Sequence, residues 1–298
     1  VLGVHRDKLL PDFASNTFSR WAERNGRLGA PGGEAGGNTA EAVLFQTCYV
    51  EHNEPDIGVD TLEVMDRNQV EVRCTKGLKC CGMPAWESGD LQKLQKHAKH
   101  NLDVLEPWVD AGAKVIAINP TCSMMLRKEY PELCAPEDRE RAEKVAAAIR
   151  DPGEHLWDIR KEARFTPPEH APDAEIAYHA PCHLRAQRVG FRGRDVMKKM
   201  LGVKIATVME CCGHDGTFAM TTEGFEPSQR IGKKAFDGMK AIAAEGPAEQ
   251  IWATDCPLAA LQFQQHAGVK PMHPMSILAN AYRGEIVRAG ELVKIEER

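Results

Sequence analysis

Apolar residues along this chain follow two alternating patterns. Short runs rich in β-branched residues end at cysteine: AVLFQTC (42–48), a weaker VEVRCTKGLKCCG (70–82), KVIAINPTC (114–122), EIAYHAPC (175–182), KIATVMECCG (204–213) and QIWATDC (250–256). Between them apolar positions recur at helical spacing over Leu91 to Trp108, Glu137 to Arg150, Arg194 to Leu201 and Ser228 to Ala244. Strands alternating with helices predict an α/β fold with small, mostly parallel sheets flanked by helices. The run order is the same in both halves, so the chain reads as two tandem pseudo-repeated domains, residues 39–165 and 166–298. Ahead of them, residues 1–26 place basic residues around Phe13, Phe18 and Trp21 and read as a short helical arm or a plain surface helix. The glycine-rich stretch from Gly26 to Gly37 reads as a linker without fixed structure, and arm and linker together fill residues 1–38.

Composition narrows the function classes. At 298 residues and 43% hydrophobic, the chain is long enough for two domains with cores of their own. A net charge of -5, from 38 basic against 43 acidic residues, gives no footprint for nucleic acid or an anionic membrane surface. No apolar run approaches the roughly eighteen residues that cross a bilayer, and no signal peptide opens the chain, so the expected location is cytoplasmic, or peripheral at the inner face of a membrane through a complex. Because the first residue is Val1 rather than Met, further sequence is expected upstream.

Ten cysteines in such a chain favour metal over a disulfide framework, which usually staples short secreted chains that lack a core. Eight of them form a pattern. In the first half 31 residues (49–79) separate Cys48 from Cys80 and 40 (82–121) separate Cys81 from Cys122; the second half gives 28 (183–210) and 43 (213–255) between Cys182, Cys211-Cys212 and Cys256. Zinc fingers take their ligands as two close pairs, unlike this set. Adjacent cysteines leave the backbone in different directions and suit two irons of one cluster. Gly82 and Gly213 would let the backbone turn with positive φ and approach inorganic sulfide. Loops that follow parallel strands open on one sheet edge, so each half should gather four thiolates there, the number a 4Fe–4S cluster takes.

The stretches CCGMPAWESGD, NPTCSMMLRKEYPEL, YHAPCH, CCGHDGTFAM and TDCPLAALQ resemble the cysteine-rich CCG domain family. That family includes heterodisulfide reductase B subunits, glycolate oxidase iron–sulfur subunits, lactate-utilisation proteins and C subunits of anaerobic glycerol-3-phosphate dehydrogenase. The resemblance covers residues 40–285 and implies two tandem domains that bind iron–sulfur clusters. It also implies electron transfer between a partner dehydrogenase, or another reduced partner, and a quinone pool or a disulfide. Two departures stand out. The N-terminal ferredoxin module common in the family is not seen, and residues 1–26 resemble the segment that follows one. The full motif ends in C-x-x-C, where this chain has Met125 and Ala259, so the five-cysteine noncubane cluster of heterodisulfide reductases lacks its fifth thiolate in both halves.

The remaining candidates read as follows. Cys74 and Cys134 have no counterpart in the other half and read as buried apolar residues. Met125 reads as packing. His179, His183 and His214 lie beside motif cysteines and read as hydrogen-bonding or proton-transfer groups around the clusters rather than ligands, with a purely structural role also open for His179. Thr121 and Asp255 read as caps of the helices that follow. No dinucleotide fingerprint, P-loop or nucleophile elbow is present. The leading expectation is an electron-transfer component of an oxidoreductase with two 4Fe–4S clusters. The alternatives are a thiol–disulfide reductase using an open-site or noncubane cluster, and a zinc site that ties loops together.

Overall fold

The computed structural model describes residues 3–32, 40–172, 174–245, 250–288 and 291–294. The chain divides into two compact units, one of residues 12–165 and one of residues 1–11 with 166–298.

In the unit of residues 12–165, strands β1 (Ala42–Phe45), β2 (Val72–Cys74), β3 (Lys114–Ala117) and β4 (Ile149–Arg150) form a parallel sheet in the order β2-β1-β3-β4. Registers pair Ala42 with both Val72 and Lys114. All four β1 residues are buried, as expected of a parallel strand covered on both faces. Val43, Phe45, Val115 and Ala117 pack with Leu94, Ala98, Leu102, Leu105 and Trp108 of the helix Leu91–Asp110. That helix places these residues three or four apart and starts where Asp90 accepts from the Lys93 N–H at 3.0 Å. Each buried leucine in this stripe contributes about 2 kcal/mol by its removal from water.

The strand β4 departs from the sequence reading, which carried a helix through Arg150. The helix Arg139–Ala148 ends two residues earlier, and Ile149 pairs with Val115. Its β-branched side chain is fully buried, and Pro152 then holds Asp151 extended at ψ 156°.

The leading segment is not one arm. Helix Phe18–Arg24, capped by Thr17, buries Phe18 against Gly58, where a Cβ would meet the Phe18 ring at 2.5 Å. The start of the expected linker is fixed as well. The Cys74 N–H donates to Arg27 O at 2.9 Å, the Gly29 N–H donates to Cys74 O at 3.1 Å, and Arg27 pairs with Asp66. Residues 26–29 therefore extend the sheet edge beside β2; positions 33–37 of the linker lie outside the described residues.

In the other unit β5 (Glu175–His179), β6 (Ile205–Val208) and β7 (Gln250–Thr254) form a parallel sheet in the order β6-β5-β7. Met272 bridges Ala253 in parallel, at the place beside β7 that β4 holds beside β3. The core sets Phe263 edge-on against Phe236 and Trp252, at 5.3 and 6.1 Å between ring centres. An antiparallel hairpin of β8 (Glu285–Arg288) and β9 (Glu291–Lys294), absent from the sequence reading, follows. Residues 3–11 belong here: the His5 N–H donates to Met220 O at 2.8 Å, the Thr222 N–H donates to Gly3 O at 2.9 Å, and the His5 ring stacks on Phe225 at 4.0 Å. The α/β expectation of two small parallel sheets flanked by helices is what the structure contains.

Candidate metal centres

Each sheet is wound outward from its central strand to one neighbour and then back to the other. Such a reversal opens a crevice at the carboxyl ends of the strands. Cys48 follows β1, Cys80-Cys81 follow β2 and Cys122 follows β3; Cys182, Cys211-Cys212 and Cys256 repeat this after β5, β6 and β7. All ten cysteines are free thiols.

Local backbone aims these side chains. Thr47, only 5% exposed, holds φ at 69°, a left-handed conformation that is strained for a β-branched residue by about 1–3 kcal/mol. That turn redirects the chain between β1 and Cys48. Gly82 and Gly213 have φ of 91° and 74°, as their position after each cysteine pair predicts. The space their missing Cβ leaves is taken by protein: Leu94 Cδ1 at 2.6 Å from a Cβ on Gly82, and the Ser228 carbonyl oxygen at 2.1 Å from one on Gly213. Cys122 sits in the helix Pro120–Met124, whose cap is Asn119, accepting from the Thr121 N–H at 3.0 Å. Asp255 is buried and accepts from the Tyr178 hydroxyl. Neither Thr121 nor Asp255 supplies the cap expected of it, because the asparagine two residues earlier and the tyrosine across the sheet are better placed.

The thiols of each half interact. In the first, Cys80 is drawn far below the ordinary thiol range by hydrogen bonds from Cys48 and Cys81, while Cys48 is pushed up by its bond to Cys80, and Cys81 first by its contact with Cys122 and then by that with Cys80. In the second, Cys211 is drawn down to about 6 by Cys182 and by the Gly213 N–H at 3.3 Å; burial pushes Cys212 up to about 12. Neighbouring thiols oppose one another's ionisation, so four thiolates coexist in such a place when metal cations balance them. Iron–sulfur clusters are held by cysteine thiolates, four of them in the common types. The donor set fits a cluster.

The three histidines separate. His179 is satisfied at both nitrogens, by Thr254 Oγ1 and by the Glu210 carbonyl, each at 3.1 Å, and burial lowers its pKa to about 4. It is a structural residue that ties β5 to β7 and to the loop before Cys211. His183 is partly buried, which lowers its pKa. His214 is 4% exposed, and neither ring nitrogen has a hydrogen-bond partner even though Gln262 lies beside it. An orphaned imidazole two residues from Cys212 fits a site completed by a bound group. Met125 and Ala259 are buried in the core, Met125 opening a π-helical turn, and Cys74 and Cys134 are buried with raised pKa values.

Sequence reasoning missed Asn101. This fully buried side chain accepts from the Lys79 N–H at 2.8 Å, and its amide donates to the Tyr130 hydroxyl at 3.0 Å, with the Lys79 and Cys80 carbonyls at 3.3 and 3.4 Å. It clamps the loop that carries Cys80. Its signal was present: Asn101 is a polar residue on the apolar stripe of its helix, between Ala98 and Leu105. Asn101→Ala should lower unfolding free energy by about 2–3 kcal/mol, because several buried polar groups lose their partner. Urea titration of the variant measures it.

Two doubly wound units, each gathering four cysteines at its carboxyl edge, define a tandem cysteine-cluster protein. The chain belongs to the cysteine-rich domain family CCG, which matches residues 42–127 and again 176–259. Among similar proteins, the C subunit of anaerobic glycerol-3-phosphate dehydrogenase from Escherichia coli K12 is 26% identical over 94% of this chain and 67% of its own length. Lactate utilization protein A of Shouchella clausii is 32% identical over 59% of this chain and 73% of its own. The B subunit of the CoM/CoB fumarate reductase from Methanothermobacter marburgensis is 25% identical over 80% of this chain and 46% of its own. Two of these relatives are thus components of a dehydrogenase and a reductase by name. Among the described residues no helix is long and apolar enough to cross a membrane.

Proposed function

We propose that each half holds a 4Fe–4S cluster, the first on Cys48, Cys80, Cys81 and Cys122, the second on Cys182, Cys211, Cys212 and Cys256. The protein then passes electrons from a partner dehydrogenase or redox protein to a quinone or another acceptor, as a component of an oxidoreductase. The observation that carries this is the repetition of four interacting thiols at the same sheet edge in both units. The clusters supply one-electron storage when bound. The chain's residues supply the rest. Buried Cys81, Cys122 and Cys212 keep water from one side of each site, while exposed Cys48 leaves the first site open to a partner. Exposed apolar residues follow or flank each Cys-Cys-Gly loop, Trp86 and Leu91 in one half and Met209 and Phe218 in the other, and suit docking of a redox protein.

Anaerobically purified protein should contain roughly eight irons and as many labile sulfides per chain. Stoichiometric zinc without sulfide would sink the proposal. A second reading, thiol–disulfide reduction at the second site, draws on the relation to the CoM/CoB fumarate reductase and on the unpartnered nitrogens of His214. Electron paramagnetic resonance separates the two. The electron-transfer reading expects reduced signals with average g below about 2 that added thiol leaves unchanged.

A further inference from the structure

Lys8 is a lysine turned into the protein interior. It is 7% exposed, and its ammonium donates to Gln262 Oε1 at 2.6 Å. Gln262 is itself fully buried and reaches Ser228 Oγ at 3.3 Å. Backbone and side-chain bonds on both sides hold the position: the Leu9 N–H donates to Gln265 Oε1 at 3.2 Å, and Gln265 Nε2 donates back to Asp7 O at 2.5 Å. The segment is therefore built to deliver this side chain inward.

What the ammonium lacks is a counterion. Among the described residues no carboxylate lies within ion-pair distance of it, and the neighbouring Asp7 is exposed and pairs with Arg6 at 3.5 Å. The second set of thiols lies close by: Gln262, which takes the ammonium, reaches Ser228, and the Ser228 carbonyl oxygen stands 2.1 Å from a Cβ on Gly213, the residue after Cys212. The rings of His214 and His266 also feel the lysine, and burial keeps both neutral. An isolated ammonium in an apolar interior is costly, and buried charges persist where an opposite charge meets them. A cluster ligated by four thiolates is anionic, and net charge around a cluster helps set its potential.

We infer that Lys8 is the counterion of the second cluster, delivered by the segment at residues 3–11 to tune that cluster's reduction potential and not that of the first. The inference rests on the proposal that Cys182, Cys211, Cys212 and Cys256 hold a cluster. Lys8 is a positioning residue in this role: it makes no bond to iron and acts through its fixed charge. A nearby cation stabilises the more negative, reduced form, so removing it should disfavour reduction.

The test is a redox titration of the whole anaerobic protein at neutral pH, followed by electron paramagnetic resonance, after iron and sulfide have been counted. In Lys8→Met the second-half signal should become at least tenfold harder to reduce at fixed poise, equivalent to about 59 mV lower for a one-electron couple, with the first-half signal unmoved. Lys8→Arg should stay within about threefold of the parent. An unmoved second signal in Lys8→Met, or equal shifts of both signals, overturns the inference while leaving the clusters intact. A parent protein with no second-half iron overturns the functional proposal instead. If Lys8→Met does not retain the second cluster, Lys8→Gln keeps a polar head for Gln262 without charge and is titrated in its place. Loss from both neutral variants with retention in Lys8→Arg supports the charge requirement; loss from Lys8→Arg as well overturns it in favour of simple packing.

Discussion

Cys81→Ser is expected to remove one cluster and leave the other, cutting iron and sulfide to about half. The cysteines proposed as first-half ligands follow β1, β2 and β3 of one unit, and none lies in residues 166–298. Cys81 contacts both Cys80 and Cys122, so its loss breaks the middle of the thiol chain. A serine oxygen is a poor substitute for a soft thiolate toward iron. The unit of residues 12–165 should also lose stability, since metal binding contributes folding free energy where the ligands otherwise repel one another. Cys212→Ser should give the mirror result, sparing the first half. Iron analysis and the surviving resonance signal read the outcome. If Cys81→Ser lost both clusters while still folded, the ligands would be shared between halves.

Gly213→Ala should be among the most damaging single substitutions outside the cysteines, and clearly worse than Gly82→Ala. Both glycines have positive φ, which alone costs a side chain about 1 kcal/mol. At Gly82 the new methyl would meet the end of Leu94, a flexible side chain that can turn aside. At Gly213 it would meet the Ser228 carbonyl at 2.1 Å and the Gly232 N at 3.1 Å, both backbone of the helix Phe225–Glu245. That helix cannot yield locally without leaving its sheet. Gly232 is constrained in return, because a Cβ there would meet the Cys212 carbonyl at 2.5 Å. Roughly 3 kcal/mol or more is expected for Gly213→Ala against roughly 1–2 kcal/mol for Gly82→Ala, measured by denaturant titration of the anaerobic proteins. Similar losses for the two would mean that backbone conformation, and not the close helix approach, sets the requirement.

Much of this architecture is legible in the sequence because it depends on local pattern. Six apolar runs ending at cysteine gave six parallel strands, and helical spacing gave the long covering helices, since both periodicities follow from backbone geometry alone. The placement of eight cysteines just after strands then follows from the rule that parallel strands share a carboxyl edge. Ile149 shows the limit: its neighbours suit a helix, and the open edge of β3 made it a strand. The arm shows it again, as residues 3–11 and 12–29 pack in different units although nothing in their composition separates them. Burial decided the rest. His179 became structural because Thr254 and Glu210 meet its ring, His214 was left unpartnered, and Asn101 became the clamp on Cys80. Lys8 and Cys212 stand about two hundred positions apart in the chain, yet Gln262 and Ser228 connect the lysine to the loop that carries the cysteine. Charge and desolvation act through space, so the sequence by itself determined which residues could bind metal, and only the tertiary structure decided what surrounds them.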